Sequence, residues 1–215
     1  DANFYVLTTD RNVYKCLDND GNTPSTEEPN GTSTTVQTLT DGYKWKYMYT
    51  LSASQQANFL STDFMAVATN STVSSAAVDG AIDIVKIKTP GSGGANGTHT
   101  GIAIRGDGSN GQVSVTVAGG VVTAVTVTNA GTGYTFGTIS NAQIVAAGAT
   151  SLTGAELDVI IPPKGGHGKN AIEELGGFYV MLNTSLEGTE SGNSGDVTVA
   201  NDFRKISLIR DPLAS

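Results

Sequence analysis

The chemistry-bearing side chains of this 215-residue chain are sparse: two histidines, one cysteine and a few clustered carboxylates. His99 and His167 each sit in a glycine-rich loop, "GTHTG" and "GGHGK". A general base needs a partner that orients and tunes it, and neither loop carries a serine or cysteine in a nucleophile context. Glu173 and Glu174 are neighbours on a predicted helix, where about 100° of rotation per residue makes them diverge. Asp18, Asp20, Glu27 and Glu28 could crowd round a calcium ion, but "DNDGNTPSTEE" misses the later ligand positions of an EF-hand loop. Cys16 is alone, which excludes an internal disulfide framework and any multi-cysteine zinc or iron–sulfur site. The expectation is no catalytic constellation, no cofactor and no metal.

Three further patterns resemble binding motifs. "GSGG", "RGDGSNG" and "GTGYTFG" are glycine-rich like phosphate cradles, yet none ends in Lys-Ser/Thr or opens a helix. Their glycines read instead as tight turns needing positive φ. Arg105-Gly106-Asp107 has the adhesion tripeptide, but Asp-Gly is itself a turn signal, and the turn is the better reading. Asn-x-Ser/Thr sequons at Asn30, Asn70, Asn96 and Asn183 matter only for a chain secreted through a eukaryotic pathway. In "DGYKWKYMYTLS", Tyr43, Trp45, Tyr47 and Tyr49 occupy alternate positions. Such a stripe can grip sugars or bases. Lys44 and Lys46 between them instead predict a strand with one dry and one wet face, so the four aromatics are assigned to the structural core.

Those side chains must be carried on strands. Twenty-seven glycines, many Thr, Ser and Val and little Leu, Lys or Glu describe a β protein. Residues 3–17 read as two short strands, 18–34 as a long surface loop, and 43–51 as the aromatic strand. Ser52 with Gln55 forms a capping box, predicting a short helix with Ala53, Ala57, Leu60 and Phe64 along one face. "NSTVSSAAVDG" reads as a linker ending near residue 79. From 80 to 164 the texture becomes glycine-punctuated, with a hairpin at Gly119-Gly120. A weak repeat at an offset of 40 aligns Val85, Gly91, Gly93, Gly97 and Thr98 with Val125, Gly131, Gly133, Gly137 and Thr138. Beyond Pro162-Pro163, Gly165 to Gly168 form a flexible loop. Asn170 and Glu173 then cap a second short helix that ends near Gly176, and "FYVMLN", "DVTVA" and "FRKISLI" follow as strands.

A net charge of −8, from twelve basic and twenty acidic residues, disfavours a phosphate-backbone partner, so no nucleic acid is expected. No apolar run reaches the roughly 18 residues that span a bilayer, so no membrane partner is expected. The first residues lack the basic and apolar regions of a signal peptide. A start without Met, on a strand, reads as a piece of something longer.

Taken in order, "NVYKCLDNDG", "GTST", "DGYKWKYMYTLS" and "DFRKISLIRDPL" resemble the two-layer β protein that sits as a dimer in each baseplate wedge of T-even-type contractile-tailed phages. The middle segments "RGDGSNG", "NAGTGYTFG" and "GGHGKNAIEELGG" resemble the longer insertion of its marine cyanophage versions. The resemblance implies a structural virion component rather than an enzyme. It would be assembled in the bacterial host cytoplasm, form a homodimer and bind other wedge subunits, with no small-molecule substrate. The fold expected is all-β with two short helices: a two-layer scaffold from 1–79 and 165–215 carrying an inserted module at 80–164. Phe203, Ile206 and Leu208 join the expected core, and Tyr14, Lys15, Asp18 and Asp20 the expected interface. The competing class is a receptor- or glycan-binding module using the loops at 91–111 and 131–138. A glycan-cleaving enzyme is a third class, which would need a pair of carboxylates in a cleft.

Overall fold

The computed structural model describes residues 4–186 and 203–210, with side chains described for all of these except 184–186 and 203–206. The chain is mostly β with a minor helical content, as the composition predicts. β1 (Tyr5–Leu7), β2 (Asn12–Asp18), β3 (Gln37–Thr38) and β4 (Lys44–Thr50) form an antiparallel sheet in the order β1-β2-β4-β3. Val13, Tyr14, Tyr43, Trp45, Tyr47, Met48 and Tyr49 are all buried in it. Burying one such ring removes about 150–250 Å² from water, roughly 4–6 kcal/mol of gross transfer free energy. Tyr43 stacks on Trp45 at 5.7 Å, and Tyr14 meets Tyr47 edge-on at 5.7 Å. The Trp45 indole N–H has no hydrogen-bond partner among the described residues.

One part of the strand prediction is corrected here. β4 is covered on both faces, not one: Lys46 is buried, its Nζ donating to Thr34 O at 2.6 Å. Thr34 of the 18–40 loop covers Lys46, and Ala171, Leu175 and Met65 pack with Met48; the loop itself is tied down along its length. Asp41 accepts from Ser25 and from the Thr26 and Glu27 amides, Glu27 from Thr40, and Glu28 from Thr9 N.

Helix α1 (Ala53–Phe59) starts at the predicted Ser52–Gln55 capping box, with both reciprocal bonds made. Its inner side is Gln55, Phe59 and Leu60, the last of these as expected, rather than Ala53 and Ala57. Ala53 and Ala57 are exposed, because α1 lies on the sheet's periphery. The expected linker contains a helix, α2 (Ser71–Ala76), capped by Asn70 Oδ1 accepting from Thr72 N and Val73 N. Val73 anchors it against Tyr14, Tyr43, Trp45 and Tyr47.

A separate core joins β5 (Ile84–Ser92), β6 (Gly97–Ala103), β7 (Arg105–Gly106), β8 (Gln112–Ala118), β9 (Val121–Asn129), β10 (Gly137–Thr138), α3 (Asn141–Ala146) and β11 (Thr153–Ile160). Its sheets are β6-β8-β9, β11-β5 and β10-β7, all antiparallel. Val113, Val115 and Val117 alternate inward from β8, as the pattern predicts. A bulge between Thr116 and Val117 lets Val122 and Val125, three apart on β9, both point inward. Gly119 (φ 61°) and Gly120 (φ 80°) make the hairpin turn, with the two positive φ values of a type I′ turn. The 40-residue repeat is visible in the backbone: Gly91 and Gly131 have φ of 68° and 64°, and Gly93 and Gly133 have 76° and 74°. Buried residues of this core run from Ile82 to Val159, whereas those of the aromatic sheet come from 13–73 and 171–175.

After β11 come α4 (Ala171–Glu174), β12 (Tyr179–Leu186) and β13 (Phe203–Arg210). Asn170 caps α4 as predicted, and Gly176 (φ 73°) follows its end. β12 and β13 form a two-stranded antiparallel ribbon. Four helices are therefore present among the described residues, where two were expected. The expected strand "DVTVA" and the stop at Pro212 lie outside the described residues.

Candidate functional site

Several expected site residues turn out to be structural. Tyr14 is 1% exposed and its hydroxyl donates to Gly31 O, so it is a core residue and not an interface one. Asp18 is paired with Lys44 at 3.3 Å, Asp20 is exposed, and Lys15 Nζ reaches Glu174 Oε1 at 3.2 Å. Arg105 and Gly106 lie on β7, and the Asp107 carboxylate accepts from Thr135 N (2.9 Å), Phe136 N (3.1 Å) and Thr135 Oγ1 (2.5 Å). The Thr135 hydroxyl and these amides hold its pKa down to about 2. Asp107 thus braces one loop against another, which gives the Asp-Gly turn reading its structural role. His99 Nε2 bonds Ala95 O at 3.0 Å inside the glycine-rich core. Burial pushes the Cys16 thiol up to about 11, which makes it a poor nucleophile at neutral pH. Among the described residues no three His, Cys, Asp or Glu side chains converge to hold a metal ion, and no helix is long and apolar enough to cross a membrane.

His167 departs from expectation. It is not a partnerless loop histidine: it is buried, with Nδ1 2.5 Å from Glu174 Oε1. Gly168 N donates to Glu174 Oε2 at 2.7 Å, and Lys15 Nζ completes the set. Burial raises the Glu174 carboxyl, but the His167 and Gly168 hydrogen bonds and the neighbouring positive charges outweigh it, leaving it below the usual carboxylate range. This node joins β2, α4 and the 165–168 loop. The same loop is stitched to the chain leading into β5: Gly165 N donates to Asp79 Oδ1 at 2.5 Å and Ser74 Oγ to Lys169 O at 2.9 Å. Asp79 and Gly80 in turn accept from the amides of Gly133 and Tyr134. Both chain crossings between the two cores therefore meet at one braced junction.

The surface feature with most potential to act is the β12–β13 ribbon. Successive strand residues point to opposite faces, and here both faces carry exposed apolar side chains. Cross-strand pairing puts Met181 with Leu208 on one face and Val180 with Ile209 on the other. Val180, Leu182, Leu208 and Ile209 are 38–50% exposed. Leu208, 43% exposed, is thus corrected from core to surface, since among the described residues no second sheet lies over the ribbon; the side chains of Phe203 and Ile206 lie outside the described residues. On the Leu208 side a groove of about 520 Å³ runs between the ribbon and the chain after α1, rimmed by Tyr5, Phe59, Phe64, Phe178 and Tyr179. Phe64 and Tyr179 meet edge-on at 6.1 Å. This surface was hidden from sequence reasoning because a strand alternation shows which residues share a face, not whether anything covers it. No family model, curated protein or solved structure matches this chain.

Proposed function

We propose that the chain is a structural subunit of a contractile-tail baseplate wedge, acting by protein–protein assembly and not by chemistry, and that it works as a homodimer bound to other wedge subunits in the virion. The reading rests on the ordered motifs at both ends of the chain. The observation that carries it in three dimensions is the apolar ribbon β12–β13. An isolated two-stranded ribbon is marginally stable in water, and contiguous exposed apolar area of this kind is characteristic of an interaction surface. The buried aromatic stripe supports the same reading over glycan binding, because Trp45 at 2% exposure has no face to offer a sugar.

The braced junction fits a load-bearing part. A subunit that transmits force needs its two cores held at one angle, and ion pairs buried with full hydrogen bonding do that at the cost of desolvation. The test is the mass of the isolated chain across a concentration series, compared with Leu182→Lys and Ile209→Lys. The expected result is a dimer or larger assembly that either lysine dissociates while thermal stability is retained. A wild-type chain that stays monomeric up to high concentration, with a melting temperature unchanged by both lysines, would remove the ribbon from the account.

A further inference from the structure

Three Asn-Gly pairs occur in the chain, at Asn30-Gly31, Asn96-Gly97 and Asn110-Gly111. In such a pair the glycine amide nitrogen can attack the preceding side-chain carboxamide, because no Cβ stands beside it. The reaction needs that nitrogen free of a hydrogen bond and the carboxamide free to turn onto it. All three asparagines are exposed, so access to solvent does not separate them. What differs is how each pair is held.

Gly111 N donates to the Tyr134 hydroxyl at 3.1 Å, and Gly111 is itself buried against that ring. Gly97 is fixed in β6 opposite Val117, and Asn96 Oδ1 is occupied, accepting from Gly120 N at 3.0 Å. At the remaining pair, neither the Gly31 amide nor the Asn30 carboxamide has a hydrogen-bond partner among the described residues. Gly31 is exposed with φ 74°, and a Cβ placed on it would meet nothing within 4 Å. The backbone around this open pair is nevertheless anchored. Asn30 N donates to Gln37 Oε1 at 3.2 Å, Gly31 O accepts from the buried Tyr14 hydroxyl, and Thr34 O accepts from Lys46 Nζ.

We propose that Asn30 is a site of spontaneous covalent modification, at which the chain converts its own asparagine to isoaspartate. Gly31 N bonds to Asn30 Cγ, the Cγ–Nδ2 bond breaks, and the proton lost by Gly31 N leaves with the amide nitrogen as ammonia. The product is a cyclic imide. Water then opens it at either carbonyl. Cleavage at Cγ gives aspartate; cleavage at the backbone carbonyl of residue 30 gives isoaspartate, whose main chain runs through the former side chain. Both products carry a new negative charge, but only isoaspartate lengthens the backbone by a methylene. That extra length falls just before the carbonyl that Tyr14 holds, so modification withdraws the loop from the aromatic sheet. The cover over Tyr14 and Lys46 thus loosens with age. Nothing in this inference depends on the wedge assignment.

The intact chain is incubated in mildly alkaline buffer, sampled over time and digested, and each Asn-Gly peptide is followed by mass spectrometry. The reaction adds about 1 Da, and electron-transfer fragmentation tells isoaspartate from aspartate. In the folded chain Asn30 is expected to react about tenfold faster than Asn96 or Asn110, because the fold protects the other two amides, and isoaspartate is expected among its products. In the urea-unfolded chain the three rates should converge. The aged protein should melt about 2–4 °C below the fresh one, the effect of losing about one hydrogen bond in a chain of this size. Asn30→Gln, whose longer side chain does not close the small ring, should keep its melting temperature when aged alongside. No reaction at Asn30, equal or faster reaction at Asn96 or Asn110 in the folded chain, or aspartate as its sole product would overturn the proposal. So would rates that stay apart in urea, or an aged wild type that melts with aged Asn30→Gln.

Discussion

Replacing Glu174 by alanine isolates the junction's contribution to stability. The carboxylate is buried and uses both oxygens, so truncation strands three groups at once: the His167 ring, the Gly168 N–H and the Lys15 ammonium. Breaking a buried ion pair by removing one partner costs about 3–5 kcal/mol. The orphaned Gly168 amide alone accounts for about 1–3 kcal/mol of that. Lys15 lowers the total, since its side chain is 16% exposed and can turn to water. We therefore expect about 3 kcal/mol for Glu174→Ala and about 2 kcal/mol for Glu174→Gln, which keeps the volume and one acceptor. For a chain of this size that is roughly 6–12 °C in melting temperature for the alanine variant. Urea unfolding followed by the fluorescence of Trp45, the sole tryptophan, reads it directly. The pH dependence sharpens the test. Glu174 has a folded pKa below its unfolded value, so its contribution is complete above the unfolded pKa of about 4.3 and is lost as pH falls through the folded value. The gap between wild type and Glu174→Gln should accordingly close in acid. A loss below about 1 kcal/mol for Glu174→Ala, or a gap to Glu174→Gln that stays constant into acid, would refute the reasoning.

Other substitutions probe the two cores. At Gly80 (φ 63°) a Cβ would lie 2.2 Å from Tyr134 N, whereas at Gly119 (φ 61°) it meets nothing within 4 Å. Gly80→Ala should therefore cost well over 3 kcal/mol or prevent folding, and Gly119→Ala only the left-handed backbone penalty of about 1–2 kcal/mol; thermal denaturation of the pair separates clash from strain. Tyr134→Phe deletes a buried hydroxyl that donates to Ile104 O at 3.0 Å and accepts from Gly111 N at 3.1 Å, and should cost about 2–3 kcal/mol in urea unfolding. Asp107→Ala should speed amide exchange at Thr135 and Phe136 without affecting the aromatic sheet. Because its folded pKa is depressed, acidifying wild type from about pH 4 to 2 should likewise lower the protection of these amides relative to their intrinsic exchange rate at each pH.

How far the fold could be read in advance depended on range. The Ser52–Gln55 box, the Gly119-Gly120 turn and the Val113-Val115-Val117 alternation are local, and each was legible. Helix α3 carried the same Ser-x-x-Gln signal at Ser140 and Gln143, but its six residues are too few to show a helical period. Helix α2 is held by Val73 reaching the aromatic core, a contact no window around "NSTVSSA" contains. Lys46 looked like a wet-face residue because its cover, Thr34 and the loop around it, is set by long-range contacts. The Glu174 node joins Lys15 to a residue 159 positions away across a glycine-rich turn, and no periodicity relates the two. The ribbon was legible as two strands; that it would stand uncovered was not.

Cross-linking mass spectrometry of purified contractile-tail particles tests the central assignment most directly. The account predicts that the chain is present in six-fold copy about the tail axis, or a multiple of it, with residues 179–183 and 207–210 joined to a neighbouring subunit. Particles that lack the chain, or that hold it with these two strands cross-linked to nothing and open to solvent, would contradict it.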